Sequence, residues 1–302
     1  MKYSRNIRYL RLFLPILVVG IVLVSVFINT TGNGKAAVSV ADQIRRKSSH
    51  LISPFGIETN RFLIDGSLLF SRADDLGTNW VRMNDRISWR ELQPIEGGDI
   101  DWAKLANFEN ELKAMKERRM TPVVIIDDHP HWAVKPYDVG GEDVFSSCAA
   151  IKTEKFPAFV SFVQQLVERY SDPQYNVHHW ELGNEVDIDP RLVPVDNIFG
   201  CWGDKDDPFY GGRHYGEMLK VVTPAIKAAD HKAQVWVGGL LLDNPNTQPE
   251  NGLMGNFLAG ILEVGAGPYF DILPYHAYFG YYGQKVDWDN GNIYTDWYPW
   301  GG

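Results

Sequence analysis

Val177-His178-His179-Trp180-Glu181-Leu182-Gly183-Asn184-Glu185 reads as a buried strand that ends on an amide and a carboxylate, and Val186-Asp187-Ile188-Asp189-Pro190 continues it as an acidic, turn-rich loop. In parallel α/β folds, the loops at the exits of strands are where active sites sit. Residues two apart on a strand face the same way, which puts Gly183 and Glu185 on one face. Glu181, deeper on that face, is expected to be an interior structural carboxylate. His178 and His179 point to opposite sides and are expected to be packed and hydrogen-bonded.

Outward from that strand, β-like and helical patterns alternate. Leu51–Ile57, Asn79–Met83 and Thr121–Ile126 read as the strands before it, the last a continuous apolar run of the kind buried on both faces of a parallel sheet. Gln234–Gly239 and Phe270–Tyr278 read as the strands after it. Between them lie helical patterns around Leu68 to Leu76 closed by Gly77, from about Trp102 to Arg118 with Asp101 as N-cap, and over Pro157–Tyr170, Tyr215–Ala229 and Leu253–Val264. Six β units with five intervening helices predict an α/β fold, a (β/α)8 TIM barrel with about six of its eight units present. A doubly wound nucleotide-binding sheet is excluded by its signatures: no Gly-x-Gly-x-x-Gly follows the first strand, and no Walker-type loop occurs. Because the six units already use residues 51 to about 280, the sequence is expected to be part of a longer protein.

Of 302 residues, 45% are apolar, enough for a sizeable core. The net charge of -9 hides a split. Lys2, Arg5, Arg8 and Arg11 are the only charges in residues 1–29, leaving 25 basic against 38 acidic residues beyond them. A surplus of acid argues against nucleic acid as a partner. The four cations precede an uncharged run, Leu12 to Ile28, of a length between a cleavable signal core and a spanning helix. Residues 1–29 are therefore expected to be a signal peptide or membrane anchor, 30–50 a polar linker and 51–302 the folded domain. Both N-terminal readings export the domain, to be secreted or held at the extracellular face, with the membrane met only through the N-terminal segment. Cys148 and Cys201, the two cysteines, lie in the long loops after the third and fourth strands, neighbours on one face. In an oxidising compartment they are expected to form a bridge that stiffens both loops.

Trp180-Glu181-Leu182-Gly183-Asn184-Glu185 resembles the fourth-strand motif of the clan A glycoside hydrolases, the retaining TIM-barrel glycosidases that include cellulases, xylanases, β-xylosidases and β-galactosidases. The resemblance covers about residues 51–302. It implies that Glu185 is the acid/base and that Asn184 contacts the sugar 2-hydroxyl. It further matches Arg82, at the end of the second strand, to the arginine that orients the nucleophile, and His276-Ala277-Tyr278 to the sixth-strand His-x-Tyr. His129 and His131 both fit the third-strand histidine, with His129 nearer the strand end. The family's nucleophile is a seventh-strand Glu, which the resemblance places beyond residue 302, so that these residues alone are expected to be inactive. Asp287, Asp289 and Asp296 sit in a Trp/Gly/Asn-rich loop and are expected to be solvated.

Trp132, Trp202 and Trp288 fall in loops after the third, fourth and sixth strands, and indole faces suit the apolar faces of pyranose rings. With His129 they are the expected substrate contacts. No cofactor is expected. Asp127, Asp128, His129 and His131 lack the matching partners of a metal site, so none is expected there. The function implied is hydrolysis of β-linked oligo- or polysaccharide with retention. The alternative is a membrane-tethered carbohydrate-binding or scaffolding protein on the same barrel.

Overall fold

In the computed structural model, β1 (Gly56–Thr59), β2 (Trp80–Ser88) and β3 (Thr121–Asp127) pair side by side in parallel. A short antiparallel hairpin, β4 (Tyr137–Val139) and β5 (Glu142–Val144), intervenes before β6 (His179–Asn184) and β7 (Gln234–Gly239) extend the same sheet. The structure describes residues 53–59, 73, 75–197, 199–241, 256–276, 284–287 and 292–295. All of them lie in the second of two compact units, Met1–His50 and Leu51–Gly302. The expected N-terminal segment and linker therefore lie outside the described residues, among which no helix is long and apolar enough to cross a membrane.

The strand order β1-β2-β3-β6-β7 follows the chain without reversal. A doubly wound sheet reverses direction at its switch point, whereas a barrel adds each strand beside the last. The sheet is thus a stretch of (β/α)-barrel wall, open among the described residues. The sixth segment lies next to β7 through two parallel bridges, Ile272 to Trp236 and Tyr275 to Leu240. The expected continuous strand Phe270–Tyr278 is replaced by these bridges up to residue 276, because Pro274 has no N–H to give a ladder and only accepts from Leu240 N at 3.0 Å.

The remaining elements follow the predicted order with shifted ends. β1 starts later than expected, and β2 runs on to Ser88 through a bulge between Met83 and Ile87. Ser88 then caps the short α1 (Trp89–Leu92), its Oγ accepting from Glu91 N at 3.0 Å. The helix expected to start at Trp102 opens as a 3-10 turn, Trp102–Leu105, before α2 (Ala106–Glu117), and Asp101 makes no side-chain cap. α3 (Phe156–Tyr170), α4 (Gly212–Ala229) and α5 (Phe257–Glu263) complete the outer layer. The hairpin β4–β5 turns on Gly140 and Gly141, both at positive φ, and a second hairpin pairs β8 (Gln284–Asp287) with β9 (Asn292–Thr295).

Alternation divides each strand. Val81, Met83, Val124, Ile126, Trp180, Leu182, Val235 and Val237 join Leu112, Phe159, Phe162, Leu219 and Ile226 in one apolar layer between sheet and helices. Each such buried Leu, Ile or Phe contributes about 1.5–3 kcal/mol. The opposite face carries the other set. His179 lies edge-on to Trp80 at 4.8 Å and to Trp236 at 5.9 Å between ring centroids. One layer nearer the strand exits, Arg82 meets Glu181.

Candidate active site at the exit of β6

Arg82 organises the inner face where β2 and β6 end. Its Nε donates to Glu181 Oε2 at 2.8 Å, its Nη2 to Glu181 Oε1 at 2.9 Å and to Asn184 Oδ1 at 2.7 Å, and its Nη1 to Glu58 Oε2 at 3.0 Å. Burial works against the cation, yet the hydrogen bonds and charges of Glu181 and Glu58 outweigh it and raise the Arg82 pKa above its usual value. Glu181 is fully buried and also accepts Gly239 N–H at 3.0 Å. It is the interior structural carboxylate that the alternation predicts, and it is the carboxylate that Arg82 orients here.

The alternation itself slips at Gly183. Arg82 touches both Glu181 and Asn184, three residues apart, which a regular strand would send to opposite faces. Gly183 has φ +95°, and a side chain there would start 2.5 Å from Val186 Cγ1. Only glycine takes that conformation without cost. Its local twist sends Asn184 inward, so the expectation that Gly183 and Glu185 share a face by simple period two does not hold. Glu185 follows at φ +55°, a left-handed conformation uncommon for glutamate.

The chain after it is then held down. Gly200 N donates to Asn184 O at 2.5 Å, Trp202 N to Val186 O at 2.8 Å and Gly203 N to Ile188 O at 2.9 Å. Asp187 accepts Leu241 N–H at 2.9 Å, which joins this loop to the one after β7. With Glu185 5% exposed, its Oε1 lies 2.8 Å from His276 Nδ1 across the gap between the fourth and sixth strands of the barrel wall. A carboxyl group so placed is oriented at a strand exit by an imidazole. That is the geometry of a positioned proton donor and acceptor.

The other expected contacts are dispersed. Tyr278 and Trp288 lie outside the described residues. His129 is 2% exposed; its Nδ1 is 3.3 Å from Ala149 O and its ring lies edge-on to Trp89, Phe159 and Trp202. Burial pushes its pKa down to about 4. His131 is exposed and pairs with Asp196 at 3.0 Å. Trp132 is half-buried, its Nε1 donating to Pro94 O at 3.1 Å, and Trp202 is 3% exposed among His129, His214 and Tyr215. Among the described residues no group of three or more His, Cys, Asp or Glu is arranged to hold a metal.

Cys148 and Cys201 are disulfide-bonded, with Cα atoms 5.0 Å apart, and join the loops after β3 and β6 as expected. Three partners were not singled out from the sequence: Glu58 on Arg82, Asp187 on Leu241, and Gly239. A Cβ at Gly239 would stand 2.1 Å from His276 Nε2. The doublet Gly238-Gly239 at a strand end was the available signal, since glycine in a strand marks a close approach.

No family model matches the chain, and no curated protein matches it. Among solved structures, it is similar to a monomeric β-xylosidase from Caulobacter crescentus CB15 (19% identity over 79% of this chain and 44% of that one, TM-score 0.46). It is similar also to a family 39 glycoside hydrolase from Bacteroides cellulosilyticus WH2 (15%, 71% and 36%, TM-score 0.43) and to a β-galactosidase from Marinomonas ef1 (10%, 74% and 40%, TM-score 0.47). The chain thus spans less than half the length of each.

Proposed function

We propose that the protein hydrolyses O-glycosidic bonds in a β-linked oligo- or polysaccharide by double displacement, with Glu185 as acid/base. The observation that carries this reading is the Glu185–His276 contact of 2.8 Å at the exit of the fourth strand of a barrel wall. Glu185 gives its proton to the leaving glycosidic oxygen, then takes one from the water that releases the sugar. His276 fixes which oxygen of the carboxyl faces the bond. Asn184, its Oδ1 held by Arg82, is assigned to a sugar hydroxyl. Tyr278 and the aromatic side chains Trp132 and Trp288 are assigned to substrate.

Double displacement needs a second carboxylate about 5–5.5 Å from the first. Glu181, Asp187 and Asp189, the carboxylates nearest Glu185 in sequence, are held by Arg82, by Leu241 N–H and by Arg191. The reading therefore assigns the nucleophile to a Glu on a later strand of the barrel. Export is proposed as well, because the Cys148–Cys201 bridge persists in oxidising compartments.

Glu185→Gln is expected to slow hydrolysis of an aryl β-glycoside with a poor leaving group by about 10²–10⁴-fold. Azide is expected to restore turnover on an activated substrate as the β-glycosyl azide. Unchanged turnover in the variant, or first-formed sugar of inverted configuration by proton NMR, sinks the reading. Oligosaccharide binding with no turnover by the complete polypeptide supports the non-catalytic alternative instead.

A further inference from the structure

A cavity of about 430 Å³ opens between the loop after β3 and the loop after β6. Its lining includes none of Arg82, Asn184, Glu185 or His276. It is nevertheless built as a site. One wall is the chain around Lys135 to Asp138 and Ala149 to Ala150; the other is Pro190 to Arg191, Cys201 to Asp204, Asp206, Asp207 and the start of α4. The Cys148–Cys201 disulfide ties the two walls together covalently. Arg191 locks the second wall by pairing with Asp189, with Asp204 at 2.9 Å and with Asp206. Gly211 N donates to Asp207 Oδ2 at 2.9 Å, which closes the turn into α4. Walls fixed in this way lose little freedom when a ligand enters.

The groups left over define the ligand. Among the described residues, the Lys135 ammonium and the Asp138 carboxylate line the cavity without a direct hydrogen bond or ion pair, and Lys135 meets the charges of Asp204, Glu154 and Asp207 from further off. His214 holds Ile151 O through Nε2 at 2.7 Å, which leaves Nδ1 as an acceptor, and burial, helped by the Lys135 charge, keeps the ring neutral by lowering its pKa to about 4. Pro136, Pro190 and Tyr137 supply apolar surface. Three cations, Lys135, Arg191 and Arg213, face four carboxylates, Asp138, Asp204, Asp206 and Asp207. That balance disfavours an anion. A ligand meeting one ammonium, one carboxylate and one neutral imidazole at once needs neighbouring groups that each donate and accept, with an apolar face behind them. Vicinal hydroxyls on a pyranose ring have that character.

We propose that this cleft is a second saccharide site, separate from the mouth at Glu185, that takes a neutral pyranoside unit between Lys135, Asp138 and His214. Its inner wall, Cys201–Gly203, is the segment hydrogen-bonded to Val186–Ile188. A polysaccharide held there lies one loop away from the carboxylate. The cleft does not require Glu185 to be an acid/base.

The test is calorimetric titration of the protein carrying Glu185→Gln with xylobiose and cellobiose. Binding of at least one probe is expected to persist in this variant. Adding Lys135→Ala and Asp138→Ala, both at exposed positions, is expected to weaken it about tenfold or more with the melting temperature unchanged. Binding that survives those two substitutions, or that neither probe shows in folded protein, overturns the proposal. So does tighter binding of an aldobiouronic acid than of xylobiose. Loss of hydrolysis alone bears on Glu185 and leaves the cleft untouched.

Discussion

Gly239 and His276 touch so closely that a methyl group on the Gly239 α-carbon would stand 2.1 Å from His276 Nε2. The imidazole that meets Glu185 through Nδ1 thus rests its other nitrogen against bare backbone of β7. Gly239→Ala is expected to push the ring off the Glu185 carboxyl. Misplacement by about 1 Å can cost on the order of 10²-fold in rate. The variant should therefore lose most of its kcat on an aryl β-glycoside and keep its KM within a few-fold. Unaltered kcat in a folded Gly239→Ala protein would show that His276 does not position the acid/base.

Arg82→Ala is expected to destabilise the fold itself. It would leave Glu181, whose side chain is 0% exposed, with the Gly239 N–H as its remaining hydrogen-bond donor. Removing one member of a buried pair costs about 3–5 kcal/mol, because the other charge stays buried and uncompensated. Denaturant titration should show this loss, and Arg82→Ala combined with Glu181→Leu should recover much of it. A single variant as stable as the parent would mean that water reaches Glu181.

The parts of this architecture that were legible in the sequence are those set by local period and by punctuation. The apolar run Val123–Ile126 and the stripe Phe159, Phe162, Val163, Leu166 and Val167 gave β3 and α3 within a residue or two, because burial on both faces of a parallel sheet leaves no ambiguity of pattern. The disulfide followed from placing two loops on one face. Less legible was anything that depends on a single backbone dihedral. Gly183 at φ +95° shifts the facing of Asn184, and no periodicity reports that. His129 and Trp202 were read as substrate contacts from their loops, whereas the structure packs them against each other at 5.9 Å between centroids. Residues on long loops are buried when a second loop folds over them, and that information is non-local. Glu58 pairs with Arg82 across 24 positions for the same reason.

The disulfide closes a long loop, its cysteines 53 positions apart. The chain-entropy relation gives about 4 kcal/mol for a loop of that size. Cys148→Ser with Cys201→Ser is expected to lower the melting temperature and to weaken saccharide binding at the cleft between the two bridged loops. Thiol titration of the denatured protein should find none before reduction and two after it. Two free thiols without reductant would remove the bridge and the argument for fixed walls.

Asp127 gives a dependence on pH with a definite sign. It ends β3, is 1% exposed and pairs with Arg86 at 3.1 Å through Oδ2, while Oδ1 has no hydrogen-bond partner. Burial pushes its pKa up to about 7, against the lowering effect of Arg86. A carboxyl whose pKa is higher folded than unfolded holds its proton more tightly in the folded state. Its stabilising share is complete below the unfolded value near 4 and is lost as pH rises toward 7, by about 1.4 kcal/mol per pH unit at most. Asp127→Asn cannot ionise, so the melting temperature of the variant relative to the parent should climb from pH 4 to pH 7 and then level off. Buried His129 and His214, with pKa values lowered to about 4, act in the opposite direction over part of that range, but they are common to both proteins and cancel in the difference. A flat difference across the window would mean that Asp127 is ionised throughout, held by Arg86 strongly enough to offset its burial.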